Sequence, residues 1–148
     1  MLASVFALRR VRDHIDRNFA GPVTLRDLAT LSGMSRFHLV REFRAAYGET
    51  PIRYLSRRRI ERAQDLLRYA NLTVTEVCMA VGYSSLGSFS SRFRELVGES
   101  PVAYQRRWAG RAPHIPGCHL FMAGVIPSAG VPQSGRSPAA PDRNSVKP

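Results

Sequence analysis

The sequence predicts an all-α fold in which two similar helical units are joined by one long helix, about seven helices in all. Three observations predict it. Residues 1–108 hold only three prolines, each where a helix can begin or a turn can lie. Apolar residues recur there at intervals of three and four, and much of this stretch is duplicated. The chain of 148 residues suits one compact domain and excludes a large multidomain enzyme.

The first predicted helix covers about residues 5–19. Its apolar stripe consists of Val5, Leu8, Val11, Ile15 and Phe19. A second helix is predicted to begin at Thr24, whose hydroxyl can cap it while Asp27 supplies the acidic residue three positions on. The same capping-box signature recurs at Thr73 and Glu76. The recurrence indicates an internal duplication.

The duplication extends over most of two segments. Residues 24–29 and 33–35 match residues 73–78 and 82–84 at a spacing of 49, and from Leu39 onward the spacing is 50, which indicates one inserted residue in the second copy. Each copy is predicted to be a short helix, a tight turn and a longer helix, here called the reading helix. Their apolar stripes are Leu39, Phe43 and Tyr47 in one, and Leu86, Phe89, Phe93 and Val97 in the other. This is the helix-turn-helix pattern, twice, so each unit is expected to be homeodomain-like.

Between the copies, residues 51–69 are predicted to form a single linking helix. Its inward residues are Ile52, Leu55, Ile60, Ala63, Leu66 and Leu67, and its outward residues are Arg53, Arg57, Arg58 and Arg62. Nineteen residues at about 1.5 Å rise span roughly 28 Å, comparable to the ~34 Å between successive major-groove faces of B-DNA. The spacing predicts two reading helices about one DNA turn apart on a monomer, suited to an asymmetric site.

Charge favours an anionic partner. The formal net charge is +11, and residues 1–108 hold 18 arginines against 10 acidic residues. Lys147 is the single lysine, so the charge consists of guanidinium groups that pair with phosphate or guanine in two parallel hydrogen bonds. Nucleic acid is therefore favoured over a membrane surface. No apolar run reaches the roughly 20 residues of a membrane-spanning helix and no export signal is recognised, so we expect a cytoplasmic protein.

Composition changes after Trp108. Seven of the ten prolines and five of the eleven glycines fall in residues 109–148. The predicted organisation is therefore a folded domain over residues 1–108 and a disordered Pro/Gly/Ser-rich tail over residues 109–148.

Other chemistry is weakly supported. In the tail, His114, Cys118 and His119 have a loosely metal-like spacing but lack a fourth ligand, so no metal is expected. Cys78 is expected to be a small core residue. No catalytic cluster or phosphate-binding loop is visible, so we expect neither an enzyme nor a cofactor.

Residues 5–107 resemble the DNA-binding domain of AraC/XylS-type transcription regulators. The residues that carry the resemblance are the two aligned copies, the segment Arg59-Ile60-x-x-Ala63-x-x-Leu66-Leu67, and the segment from Val81 to Tyr104 with its Gly-x-Ser-Pro-x-x-Tyr ending. The resemblance implies seven helices in two lobes, binding of double-stranded promoter DNA in adjacent major-groove segments, and action through RNA polymerase. Most members carry a sensor or dimerisation domain as well, so the chain is expected to be either a stand-alone reader or a shortened relative.

Candidate DNA contacts follow from the outward positions of the reading helices and from the resemblance. The base-reading candidates are Phe37, Arg41, Ser88, Ser91 and Arg92. The candidates for contacts to the DNA backbone are Arg36, His38, Arg44, Arg53, Arg57, Ser84, Ser85 and Arg94. The resemblance places a base-reading arginine at Arg41, with a phosphate contact or a salt bridge as the alternative. Ser91 departs from the pattern, because many relatives have arginine there.

Three plainer roles stay open at this stage. Phe37 is as consistent with packing as with contact to a thymine methyl group, Ser84 or Ser85 can be a helix cap, and exposed arginines can be solvated. The small residues of the second reading helix also leave a second hypothesis for the chain. Under it, the protein acts by binding RNA polymerase or another protein and binds DNA mainly without sequence preference.

Overall fold

The computed structural model describes residues 2–111, which form seven α-helices. They are α1 (Leu2–Asn18), α2 (Leu25–Ser32), α3 (Arg36–Tyr47), α4 (Pro51–Tyr69), α5 (Val74–Ala80), α6 (Leu86–Val97) and α7 (Pro101–Trp108). The predicted all-α fold is confirmed, and the linking helix α4 has the predicted bounds. No helix in this part of the chain is long and apolar enough to cross a membrane. The predicted tail from residue 112 onward, with its candidate metal ligands, lies outside the described residues.

The two predicted capping boxes are present. The Thr24 hydroxyl accepts a hydrogen bond from the Asp27 amide at 3.2 Å, and the Thr24 amide donates to the Asp27 carboxylate at 3.0 Å. Thr73 and Glu76 repeat both bonds at 3.2 and 2.6 Å. These bonds satisfy amide groups that have no partner inside the first turn of a helix. They start α2 and α5 at equivalent points of the two copies.

The helices pack into two lobes, each with its own core. Lobe 1 contains α1, α2, α3 and the first half of α4, and its core residues are Leu8, Val11, Ile15, Leu28, Ala29, Leu39, Phe43, Tyr54 and Leu55. Lobe 2 contains the second half of α4 with α5, α6 and α7, and its core residues are Ile60, Ala63, Leu66, Leu67, Ala70, Val77, Cys78, Ala80, Val81, Phe89, Phe93 and Tyr104. The second half of α4 thus takes the place in lobe 2 that α1 holds in lobe 1.

Three residues assigned to the apolar stripes are exposed instead. They are Val5 of α1, Ile52 of α4 and Leu86 of α6. Each lies in the first turn of its helix. Cys78 is buried, as predicted, and burial raises the pKa of its thiol.

Candidate nucleic-acid interface

The two reading helices, α3 and α6, are of equal length and in the same register. Both contain 12 residues. Ser35 caps α3 by accepting a hydrogen bond from the His38 amide at 3.2 Å, and Ser85 caps α6 by accepting one from the Ser88 amide at 3.3 Å. Ser85 therefore has the capping role that the sequence left open. Because the caps correspond at a spacing of 50, the outward faces can be compared position by position.

The outer face of α3 carries the larger side chains. Leu39 and Phe43 are fully buried beneath it. The predicted outward positions are confirmed as exposed: Arg36, Phe37, His38, Arg41 and Arg44.

Phe37 is 81% exposed, so its ring lies outside the core of lobe 1. With Leu25 and Val40 it lines a shallow apolar depression at the start of the helix. A thymine methyl group is the kind of apolar group on a base edge that such a surface can contact.

Arg41 lies one turn after Phe37, with its side chain 64% exposed. Its Nη2 is 3.2 Å from Nδ1 of His38, and its Nε is 3.4 Å from the Glu42 carboxylate. Exposed contacts of this kind contribute little stability, so they oppose reorientation of the guanidinium only weakly. The group can therefore turn two N–H donors outward, which is the arrangement that a guanine edge accepts.

The outer face of α6 carries smaller side chains than that of α3. Ser88 and Ser91 are exposed, while Phe89 and Phe93 are fully buried. At a spacing of 50, Ser91 corresponds to Arg41. A serine hydroxyl can bond to several bases without selecting one strongly, so this face carries less chemical information than α3.

The predicted outward position of Arg92 is wrong. Its side chain is only 18% exposed, its Nη1 donates to the Glu95 carboxylate at 2.6 Å, and its Nε is buried without a partner among the described residues. Position 92 lies three residues after Phe89 and next to Phe93, at the edge of the buried stripe. The side chain consequently lies along the lobe and does not project from α6.

Most candidates for backbone contacts lie at the surface. Arg53, Ser84, Ser85 and Arg94 are exposed, and Arg53 makes one long contact, 3.9 Å, with Glu95. Such a pair is easily exchanged for a phosphate, since exposed ion pairs are weak.

Arg57 differs from these residues. Its Nε and Nη2 donate to Glu49 at 3.0 and 2.8 Å, and its Nη1 donates to Glu61 at 2.6 Å. The hydrogen bonds to Glu49, working against burial, raise the pKa of the guanidinium above its usual value. The Arg57 guanidinium also lies over the Tyr54 ring, 4.9 Å from its centroid. These contacts hold the side chain within lobe 1.

Two acidic residues that contact arginines of α3 and α6 were not among the predicted site residues. Glu42 contacts Arg41 from the next position, and Glu95 contacts Arg92 three positions away. The sequence shows that each acidic residue is close to its arginine along the chain, which allows such a pair. Which side of each helix the pairs occupy depends on the packing of the lobes.

The chain matches a known domain family and several curated proteins. A helix-turn-helix domain family matches residues 28–107. A putative AraC-like transcription regulator of Streptomyces lividans is 36% identical over 92 residues, which cover 62% of this chain and 30% of that protein. The transcriptional activator AarP of Providencia stuartii is 35% identical over 91 residues, which cover 62% of this chain and 67% of AarP. The chain spans about a third of the length of several curated relatives that it matches, the Streptomyces lividans protein among them.

Solved structures of related domains have the same fold. The DNA-binding domain of AdpA, a global transcriptional factor solved in complex with a target DNA, superposes with a TM-score of 0.67 at 30% identity, covering 70% of this chain and 94% of that one. An AraC family regulator of Rhodopseudomonas palustris gives a TM-score of 0.64 at 31% identity, covering 69% and 96%. The matched residues, the two helix-turn-helix units and these relatives together show that this chain belongs to the AraC family of DNA-binding transcription regulators.

Proposed function

We propose that this chain binds double-stranded promoter DNA sequence-specifically as a monomer and regulates transcription together with RNA polymerase. In this proposal α3 and α6 enter adjacent segments of the major groove. The single observation that carries it is the pair of equal, capped reading helices, of which α3 presents an exposed apolar side chain and an exposed arginine one turn apart. AdpA, whose DNA-binding domain was solved with a target DNA, supports the same mode of binding by its similarity.

The proposed base contacts are unequal between the two helices. Arg41 donates to guanine O6 and N7, and Phe37 packs against a neighbouring thymine methyl group. Ser88 and Ser91 contribute weaker contacts from α6. The sequence makes Arg92 a candidate for base contact. Its side chain lies along lobe 2 and donates to Glu95, which favours a supporting role over direct contact with a base.

The proposed backbone contacts come from exposed donors around the reading helices: Arg36, His38, Arg44, Arg53, Ser84, Ser85 and Arg94. Arg57 is left out of this set, because its donors already bind Glu49 and Glu61. The net charge of +8 over residues 1–108 supplies the attraction that these contacts need.

A second candidate function is favoured by one observation, the small outer face of α6. Under this alternative the chain binds DNA mainly through phosphates and takes its specificity from a protein partner such as RNA polymerase. The first function predicts that the chain by itself prefers particular DNA sequences, and the second predicts that it does not.

A selection of random duplexes by the purified chain at near-physiological salt separates them. Sequence-specific binding by a monomer predicts an asymmetric motif with two blocks about one helical turn apart, with more information in the block read by α3. Retention of DNA without enrichment would support the second candidate. Failure to retain duplexes at all would contradict both.

A further inference from the structure

The relative placement of the two lobes depends on few contacts. No residue is shared between the two hydrophobic cores. The helix α4 runs through both lobes, and the ion pair that connects them among residues 2–111 is a long one, Arg53 with Glu95 at 3.9 Å. The exposed ion pair adds little to this connection, since such pairs are weak. Apart from α4 itself, the geometry between α3 and α6 therefore depends on further contacts between the lobes.

One such contact is made by Arg59, near the middle of α4. Its Nε donates to the carbonyl oxygen of Phe19 at 2.6 Å, and its Nη2 donates to the carbonyl oxygen of Gly21 at 2.8 Å. Both carbonyls belong to the turn that follows α1 in lobe 1. The same guanidinium lies over the ring of Tyr83, 5.5 Å from its centroid, in the turn before α6. Arg59 thus binds a turn from each lobe at once.

The second contact is between the backbones of these two turns. Gly82 has a φ of +93°, and a Cβ at this position would lie 2.9 Å from the carbonyl oxygen of Ala20. The equivalent glycine of lobe 1, Gly33, has a φ of +69° but would place its Cβ near no other atom within 4 Å. Both positions need glycine for their left-handed backbone. Only at Gly82 does the close approach of the other lobe add a second requirement.

We infer that Arg59 and Gly82 form a clamp that fixes the distance and rotation between α3 and α6, and thereby sets the spacing of the two DNA segments that the chain reads. The clamp joins the turn at residues 19–21 to the turn at residues 82–83. A planar guanidinium that donates two N–H groups along fixed directions is suited to this task, because it restrains rotation as well as distance. Arg59 acts as a positioning residue, since it lies in α4 and not on a reading helix.

This inference rests on the proposed function, and it adds a prediction of its own about the spacing between the two DNA blocks. Inserting one base pair between two binding blocks increases their separation by about 3.4 Å and rotates one block relative to the other by about a tenth of a turn. A clamped pair of reading helices cannot follow both changes, so the second block loses its contacts. A pair held only by α4 can follow them in part.

The test uses the duplex selected by the unmodified chain, together with versions that carry one base pair more or one fewer between the blocks. The clamp variants are Arg59→Met and Gly82→Ala. Their matched controls are Arg62→Met and Gly33→Ala. Arg62 lies on the same helix and, within residues 2–111, makes only a 3.7 Å pair with Asp65. Gly33 has the same left-handed backbone without the close contact.

The unmodified chain and both controls are expected to lose about tenfold or more in affinity for each change of spacing. Both clamp variants are expected to lose about threefold or less, with weaker binding to the original duplex. An undiminished spacing penalty in the clamp variants would overturn the inference. Should Arg59→Met not fold, Arg59→Lys replaces it, because an ammonium group keeps the charge but lacks the rigid planar set of N–H donors that restrains rotation.

A measurement without DNA separates failure of the clamp from failure of the proposed function. Spin labels are placed at Ala46→Cys and Leu96→Cys, equivalent exposed positions of α3 and α6, in a Cys118→Ser background. Electron–electron double resonance measures the distance between the two labels. We expect a narrow distribution of this distance in the labelled chain without a clamp substitution, and a broader one with Arg59→Met or Gly82→Ala. Equal widths would overturn the inference even if the DNA selection succeeded. Absence of a selected duplex would count against the proposed function alone.

Discussion

The hydroxyl of Tyr54 donates one bifurcated hydrogen bond to the two carboxylate oxygens of Asp16, at 2.9 and 3.1 Å, and so joins α4 to α1. Asp16 also accepts a hydrogen bond from Nε of Arg58 at 2.9 Å. The Tyr54 ring packs on Phe43 of α3, with ring centroids 5.8 Å apart. One side chain therefore contacts the core of lobe 1 with its ring and fixes the position of α1 with its hydroxyl.

Replacing Tyr54 by phenylalanine removes the hydroxyl but keeps the ring. We expect the free energy of unfolding at neutral pH to fall by about 1.5 kcal/mol, the lower end of the range for a hydrogen bond to a charged group, since the pair is partly exposed. Packing on Phe43 should survive, so the loss should not approach that of a core truncation. Chemical denaturation measures the change. Tyr47→Phe is the control, because the Tyr47 hydroxyl makes no hydrogen bond among residues 2–111, and a loss of equal size there would contradict the assignment.

The effect of Tyr54 should also depend on pH. Burial, followed by the hydrogen bond to Asp16, raises the pKa of Tyr54 above the ordinary value of 10.0. A raised pKa means that the folded chain favours the protonated phenol. The contribution of the Tyr54 hydroxyl to the free energy of unfolding is therefore complete below about pH 10 and is lost as the pH rises through the pKa of the folded state. The difference in unfolding free energy between the unmodified chain and Tyr54→Phe should therefore shrink above pH 10. A difference in unfolding free energy that stays constant up to pH 11 would contradict the raised pKa of Tyr54.

Two adjacent serines before α6 should behave differently. Ser85 caps the helix through the Ser88 amide, while Ser84 is exposed and makes no hydrogen bond among the described residues. Ser85→Ala should therefore cost about 1 kcal/mol of stability, and Ser84→Ala should cost close to none. Thermal unfolding measures both. Equal melting temperatures for the two variants would show that the cap contributes nothing.

Much of this fold could be predicted from the sequence because its signals are local. The capping residues Thr24 and Thr73 act within one helical turn, and the bounds of α4 follow from a proline at its start and a continuous apolar stripe. The outward face of α3 could be derived in the same way from the buried positions Leu39 and Phe43.

The features that were not predicted depend on contacts between distant parts of the chain. Arg59 meets Phe19 across 40 positions, and no period or spacing in the sequence indicates that contact. Arg57 reaches Glu49 only because the turn between α3 and α4 folds back toward α4. Arg92 was assigned to the outer face because helical periodicity alone does not show how wide the buried stripe is.

Arg57 and Arg44 should separate a structural arginine from a phosphate contact. Arg57 is held by Glu49 and Glu61, so Arg57→Ala should leave the salt dependence of DNA binding unchanged and cost about 1 kcal/mol of stability, the upper range for partly exposed ion pairs. Arg44 is exposed on α3, and Arg44→Ala should reduce the slope of log affinity against log salt by about one. Binding titrations at several salt concentrations measure both slopes. A reduced slope for Arg57→Ala would return this residue to the set of phosphate contacts.

Arg41 should carry more sequence discrimination than any other side chain of the reading helices. Arg41→Ala is expected to weaken binding to the selected duplex by about 1 to 3 kcal/mol and binding to random DNA only slightly, because a bidentate contact to guanine is lost while most phosphate contacts remain. Ser91→Ala, at the equivalent position of α6, should cost less than about 1 kcal/mol on the same duplex. Competition titrations with selected and random duplexes measure both variants. Equal losses on the two kinds of DNA for Arg41→Ala would identify Arg41 as a phosphate contact, and a larger loss for Ser91→Ala would move the main reading position to α6.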